Sequence, residues 1–283
     1  MNNASRLVIT ADDFGAAVAV NEAVEIAHRD GILSAASLMV AGPAAADAVK
    51  RARDMPDLRV GLHLVLTDGR PVLPAAQVDR LVGRDGQFSD NMAAAGARMF
   101  FDPLARRQLA DEIAAQFEAF AATGLRLDHA NAHKHFHLHP TIARLIIEIG
   151  ARHGLAAVRT PIEPVGPLAA AEPDGKARPD RLMTWWAKAA RARVRRAGLT
   201  APDQVFGLRW SGAMGERRLA GLIAALPPGL SEIYLHPATD DRFAGAARGY
   251  RYGDELAALT SASAAAALAQ RGAVLGGFAD FAP

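Results

Sequence analysis

LVITADDFGAAVAVNEAVEIAHRDG, residues 7–31, contains one repeat of the pattern that sets the fold. LVITA (7–11) is a short apolar run rich in β-formers, and it ends in two acids, Asp12 and Asp13. VNEAVEIAHRDG (20–31) then carries apolar positions at helical spacing and stops on a glycine. The alternation continues down the chain. SAASLMVA (34–41), LRVGLHLVL (58–66), LRLDHAN (125–131), LAAVRTP (155–161), QVFGLRW (204–210), EIYLHP (232–237) and AVLGGF (273–278) read as strands. PLARRQLADEIAAQFEAFAATG (103–124) and TIARLIIEIGARHG (141–154) read as helices. Strands alternating with helices imply a parallel sheet with right-handed crossovers. The expected fold is α/β: an irregular (β/α) barrel of seven or eight mainly parallel strands, one domain over 1–283, with an open doubly wound sheet as the alternative. Segments 67–102 and 161–200 read as insertions placed to cover a site; 161–180 is rich in proline and loop-like.

Composition narrows the chemistry. Half the residues are hydrophobic (51%), enough for a sizeable core, and the abundant alanine favours helices. There is no cysteine, so any metal must be held by His, Asp or Glu. A net charge of +2 gives no general attraction to nucleic acid. No GxGxxG or GxxxxGK[ST] follows a strand, so nucleotide binding has no support. Neither a signal peptide nor a spanning helix is legible, and the expectation is a cytoplasmic protein.

In a parallel barrel, chemistry gathers at the C-terminal ends of the strands. Here those ends carry Asp12 and Asp13, His63, Asn131 with His133 and His135, Arg159, and His236. Each residue alone has a plainer reading. Asp12 or Asp13 would cap the following helix, and His63 would be a hydrogen-bonded core histidine. His139 would begin the next helix, and His28 and His153 would be solvated. Together the polar strand ends read as one site built from several strands. HANAHKHFHLHP (129–140) holds five of the nine histidines. As a strand it would place His133, His135 and His137 on one face and Lys134, Phe136 and Leu138 on the other. A catalytic mononuclear site usually takes about three protein ligands, so one or two of these histidines must be neighbours of the site. One divalent ion is expected: zinc is favoured by the imidazoles, with magnesium, manganese or nickel open.

RPDRLMTWWAKAARARVRRAGL (178–199) joins adjacent tryptophans to a run of arginines. Trp185, Trp186 and Arg193 suit a membrane interface. The alternative is a surface helix whose tryptophans pack on the barrel.

TADDFG (10–15), GLHL (61–64), HANAHKHFH (129–137) and YLHP (234–237) resemble the YdjC-like carbohydrate deacetylases, over about residues 6 to 281. VGLHLVLTDGRPVLPA, NAHKHFHLHP, VFGLRWSGAM and EIYLHPA resemble the hopanoid-biosynthesis-associated branch of that family. The resemblance implies an irregular (β/α) barrel and metal-dependent N-deacetylation, here of an N-acetylglucosaminyl hopanoid to the glucosaminyl form. It implies Asp13, His63 and His133 as metal ligands, Asp12 as general base, and His236 as general acid or oxyanion partner. Asn131, His135, His137 and Arg159 are expected beside the ligands or the substrate. One position departs: the family often has H-L-D-S-H where this chain has His129-Ala130-Asn131-Ala132-His133, which removes a charge next to the ligands. Expected partners are the lipid-linked amino sugar and the inner face of the cytoplasmic membrane, without nucleic acid; a homodimer stays open. The alternatives are deacetylation of a soluble sugar such as a chitooligosaccharide, and a non-catalytic lipid- or sugar-binding accessory protein.

Overall fold

The computed structural model describes residues 5–172 and 181–282. Its strands are β1 (Arg6–Phe14), β2 (Ala35–Leu38), β3 (Arg59–Leu64), β4 (Leu127–Ala132), β5 (Gln204–Phe206), β6 (Leu230–Leu235) and β7 (Val274–Leu275). They pair in parallel in the order β4-β3-β2-β1-β6-β5. β7 joins β1 at Arg6 and Leu7. β6 occupies one edge of β1 from Arg6 to Ala11, so β7 must share the other edge with β2, which pairs from Thr10 onward.

The helices are α1 (Val18–Arg29), α2 (Ala45–Arg53), α3 (Met92–Phe101), α4 (Pro103–Ala122), α5 (Pro140–Gly150), α6 (Val165–Ala171), α7 (Arg181–Arg196), α8 (Glu216–Ala224), α9 (Tyr252–Leu259) and α10 (Ala262–Arg271). Local chemistry sets several of their ends. Asp102 caps α4 by accepting from Leu104 N at 2.9 Å, with Pro103 at the first helical position. Gly272 closes α10 in the left-handed conformation.

β1 shows how the strand period divides the core. Leu7, Ile9 and Ala11 pack in the large apolar cluster that also takes Val24 and Ala27 of α1. Val8 belongs instead to a small cluster with Ala35, Ala157, Leu230 and Phe278. Beyond Val8 the same face turns polar, with Thr10 donating to Glu232 Oε1 at 2.9 Å. Each buried Leu or Ile contributes about 1.5–3 kcal/mol, so the helix-facing side stabilises the sheet and the inner side is free to carry polar groups.

Three expectations change. LAAVRTP (155–161) is not a strand: it makes only isolated bridges, Ala130 with Val158 and Ala157 with Thr200. Gly154 turns the chain with a φ of 70°, and Pro161 has no N–H to give a ladder. This run lies between the outer strands β4 and β5, so the sheet curls as a barrel does, and closure by seven or eight regular strands is not seen among the described residues. The loop-like segment 161–180 contains α6; its part from 173 to 180, with Pro173 and Pro179, lies outside the described residues. Residues 133–138 form tight 3₁₀ turns rather than a strand, because Lys134 and His135 take left-handed φ values of 53° and 55°. No helix among the described residues is long and apolar enough to cross a membrane.

Candidate metal centre and active site

Adjacent residues of a regular strand point to opposite faces, so Asp12 and Asp13 need a distortion to share a site. β1 supplies it. The register runs Ala11 to Ala36 and then Phe14 to Leu38, so one extra residue is accommodated at Asp12–Asp13 opposite Ser37. Asp13 has a φ of 63°, a strained value for a residue with a side chain. Neither acid caps α1: its N-cap is Ala17, without a side-chain cap, which overturns the capping reading.

Asp12 is buried and held by Arg159, whose Nη1 and Nη2 reach Oδ2 and Oδ1 at 2.5 and 2.9 Å. Arg159 is itself fully buried and also binds Glu232 Oε1 through Nε at 2.9 Å and Nη2 at 2.6 Å. Its guanidinium lies over the Tyr234 ring, 4.6 Å from the centroid. Burial opposes the charge on Asp12, but Arg159 and the nearby His63 outweigh it and hold the carboxyl far below the usual carboxylate range.

Asp13 Oδ1 lies 3.2 Å from His63 Nε2 and 3.1 Å from His133 Nδ1. One donor atom from each of Asp13, His63 and His133 falls within 4.8 Å of the other two, a grouping consistent with a divalent metal. Burial would raise the Asp13 carboxyl and lower the His133 imidazole; their mutual attraction reverses both shifts. Asn131, one strand over from His63, sets that ring. Its Nδ2 donates to Asp12 Oδ1 at 3.3 Å, and its Oδ1 faces His63 Nδ1 at 2.7 Å. His63 Nδ1 therefore carries a proton, and the buried Nε2 faces the Asp13 carboxylate at 3.2 Å without a well-formed hydrogen bond; in the neutral ring it turns its lone pair to that carboxylate. Two facing electron pairs need a cation or a proton between them, so the donor set fits a metal.

The tight turns after β4 separate the histidines that a strand would have aligned. His133 goes to Asp13. His135 Nε2 meets the Tyr234 hydroxyl at 2.9 Å, and burial keeps its imidazole neutral. His137 turns inward and accepts Ala132 N at 3.0 Å through Nδ1; burial, with Arg159 and His63 nearby, pushes it down to about 3. His139 occupies the N-cap position of α5 without a side-chain cap bond. His236, just beyond β6, is held through its backbone N–H by the buried Glu255 and sits between the Tyr234 and Tyr250 rings, with Nδ1 unpartnered.

Asp12, Asp13, His63, His133, His135 and His236 all line one cavity of about 690 Å³. Its remaining wall comes from Asp68, Ser211, Tyr234, Arg248, Tyr250 and Tyr252, among others. The loop that carries Asp68 is held on both sides by α4, whose buried Gln116 accepts from Val65 N and Glu112 from Val72 N and Leu73 N, and Lys134 pairs with Asp68 at 2.6 Å. None of the described residues of 161–200 lines the cavity. Of α7, Trp186 donates to Leu138 O and Arg193 to Pro140 O, while Trp185 stays exposed.

Glu232, Tyr234 and the 245–252 wall are not among the residues that the sequence marks. Glu232 carries a signal in hindsight: a carboxylate inside an apolar strand demands a buried cation, and Arg159 at the end of AAV is the matching one. The wall carries none, because loop residues reveal their facing only once the strands are placed.

The profile of the YdjC-like protein family matches residues 6–270. A carbohydrate deacetylase of Geobacillus stearothermophilus is 32% identical over 278 residues, 97% of each chain. A carbohydrate deacetylase of Vibrio vulnificus (strain CMCP6) is 40% identical over 144 residues, 51% of this chain, and the match spans about half (54%) of that relative's length. A solved structure from Enterococcus faecalis V583, described as a candidate cellobiose-phosphate cleavage protein, covers 99% of this chain and 100% of its own with a TM-score of 0.78. Its sequence identity is 23%, so that likeness speaks for the fold alone. The profile match and the end-to-end Geobacillus alignment both span the strands that carry Asp12, Asp13, His63, His133 and His236, and on that ground the chain belongs to the YdjC-like family.

Proposed function

We propose that this protein is a metal-dependent N-deacetylase of an acetylated amino sugar, and that its substrate is lipid-linked, of the N-acetylglucosaminyl hopanoid kind. The observation that carries the reading is the grouping of His63 Nε2, the Asp13 carboxylate and His133, in a cavity that also presents the ionised Asp12. The relatives named carbohydrate deacetylases supply the reaction class. When bound, a divalent ion polarises the amide carbonyl and lowers the pKa of water to roughly 7.

The chain's own residues do the rest. Asp12 Oδ1 takes two donors, Arg159 and Asn131, whereas Oδ2 takes Arg159 alone. Oδ2 thus keeps a lone pair for the proton of the attacking water. His236 lines the cavity, its buried Nδ1 has no partner, and in this reading it protonates the leaving amine. His137 does not line the cavity, and His135 is tied to Tyr234. Acetate release should occur with the acetylglucosaminyl lipid, stop with chelator and return with zinc. Absence of acetate from both that lipid and an acetylated chitooligosaccharide, with metal present, rules the reading out.

A surface patch supports the lipid-linked substrate and a place on the inner face of the cytoplasmic membrane. Phe101 is 77% and Trp185 65% exposed. Phe100, Leu104 and Trp186 are exposed with them, and an apolar pocket of about 220 Å³ lies against Leu138, Pro140 and the two tryptophans. Both groups border residues 138–140: the Phe100 ring is 6.1 Å from that of His139, and Trp186 bonds Leu138 O. That segment follows directly on the histidines of the cavity. Exposed aromatics beside Lys188 and Arg193 suit an anionic bilayer. Co-sedimentation with vesicles containing anionic lipid should be lost in Phe101→Ser/Trp185→Ser, with deacetylation of a soluble acetylated sugar unchanged. Equal sedimentation of both proteins would remove the membrane from the reading.

A further inference from the structure

Asn131 is uncharged, but its side chain is not the end of a hydrogen-bond path. Besides Asp12 it donates to Ser37 Oγ at 2.9 Å. Ser37 Oγ meets His129 Nε2 at 3.0 Å, and His129 Nδ1 meets Asp128 Oδ2 at 2.8 Å. Asp128 also accepts Phe278 N at 3.1 Å and Ala279 N at 2.7 Å. His63, Asn131, Ser37, His129 and Asp128 are all buried.

The donor and acceptor inventory gives this path one direction. Asp128 accepts the His129 ring and two backbone N–H groups, which favours its ionised, acceptor-only form. An ionised carboxylate only accepts, so His129 Nδ1 donates and Nε2 accepts. Ser37 then donates to His129 and accepts from Asn131 Nδ2. Asn131 Oδ1 accepts from His63 Nδ1. A second proton on His129 Nε2 would leave the Ser37 hydroxyl without an acceptor. Every dipole in the path therefore points toward Asp128, and chains of this kind polarise one another.

The backbone makes room for the path. The register runs Val60 to Leu127 and then Leu62 to Ala130, so β4 carries one extra residue opposite Gly61. A Cβ at Gly61 would lie 2.5 Å from three atoms of the His129 ring, so only glycine admits that imidazole.

We propose that Ser37, His129 and Asp128 are positioning residues for His63. They lock its Nδ1–H form and deliver, through neutral groups, the negative polarisation that Asn131 itself lacks, which strengthens Nε2 as a donor to a cation. The inference rests on the metal reading for its purpose, but the state of the His63 ring can be observed without metal. Long-range proton–nitrogen correlation spectra of the metal-free protein at alkaline pH should show His63 protonated at Nδ1 and bare at Nε2. Ser37→Ala, which leaves the Asp128 anchors intact, and Asp128→Asn should both raise the Nε2–H population. In calorimetric zinc titrations both should bind the ion more weakly, by roughly 10- to 100-fold. Thermal melts identify any variant that has simply unfolded, and Ser37→Ala carries the test if Asp128→Asn does. Unchanged ring shifts and zinc affinity in a folded Ser37→Ala variant overturn the proposal. A wild-type protein that binds no zinc, while the ring shifts still move, overturns the metal reading and leaves the positioning of His63 standing.

Discussion

Asp12→Asn should keep its full complement of metal and lose turnover by about two to four orders of magnitude, the usual range for a lost general base. The metal is retained because Asp13, His63 and His133, not Asp12, form the donor group. Turnover falls because an amide has no basic oxygen to replace Oδ2. Steady-state rates on the acetylated lipid and metal analysis of the same preparation check both halves. A rate within tenfold of wild type would remove Asp12 from the role. Arg159 adds a second consequence. It holds the Asp12 carboxyl far below its ordinary range, so Asp12 is ionised throughout the working pH span. The acid limb of the wild-type pH–rate profile should therefore not belong to Asp12.

The largest effect on stability is expected at Arg159. Arg159→Met leaves Asp12 and Glu232 buried with no cation between them. Breaking a buried pair from one side costs about 3–5 kcal/mol, a large share of the roughly 5–15 kcal/mol that holds a domain folded. The pH dependence has a definite sign. In the wild type the depressed Asp12 carboxyl contributes stability at neutral pH that is lost only as pH falls through its folded value. Without Arg159, burial raises the same carboxyl instead, so the charged form costs stability above that raised value and protonation relieves it. The deficit of Arg159→Met relative to wild type should therefore shrink as pH falls from 7 toward 4, read by denaturant melts at each pH. The triple variant Asp12→Asn/Arg159→Met/Glu232→Gln removes all three charges and should recover much of the loss without recovering activity. A deficit that is constant with pH would mean that Arg159 acts through packing alone.

How much of this was legible can be judged from individual residues. Val8, Thr10 and Asp12 alternate with Leu7, Ile9 and Ala11, and such a period is a local property that survives into the strand. The helix over Pro103–Ala122 is equally local, with its aspartate cap and first-turn proline. That acids and histidines end the apolar runs was also visible, and Asp13, His63 and His133 do come together. The shape of the turn after β4 was not visible, because the alternation of HKHFHLH (133–139) is compatible with a strand until two left-handed residues break it.

What the sequence by itself determined is thus the order of strands and helices and the polar character of the strand ends, since both follow from side-chain period and local capping. What only the tertiary structure decided is how those ends meet. The extra residue at Asp12–Asp13, the extra residue in β4 opposite Gly61, the sharing of Arg159 between Asp12 and Glu232, and the path from His63 to Asp128 all join elements far apart in the chain. Each is set by which backbone groups of neighbouring strands can pair and which buried charge finds a partner. Those are conditions on positions in space, and local sequence carries them only as an unpaired charge or a lone glycine.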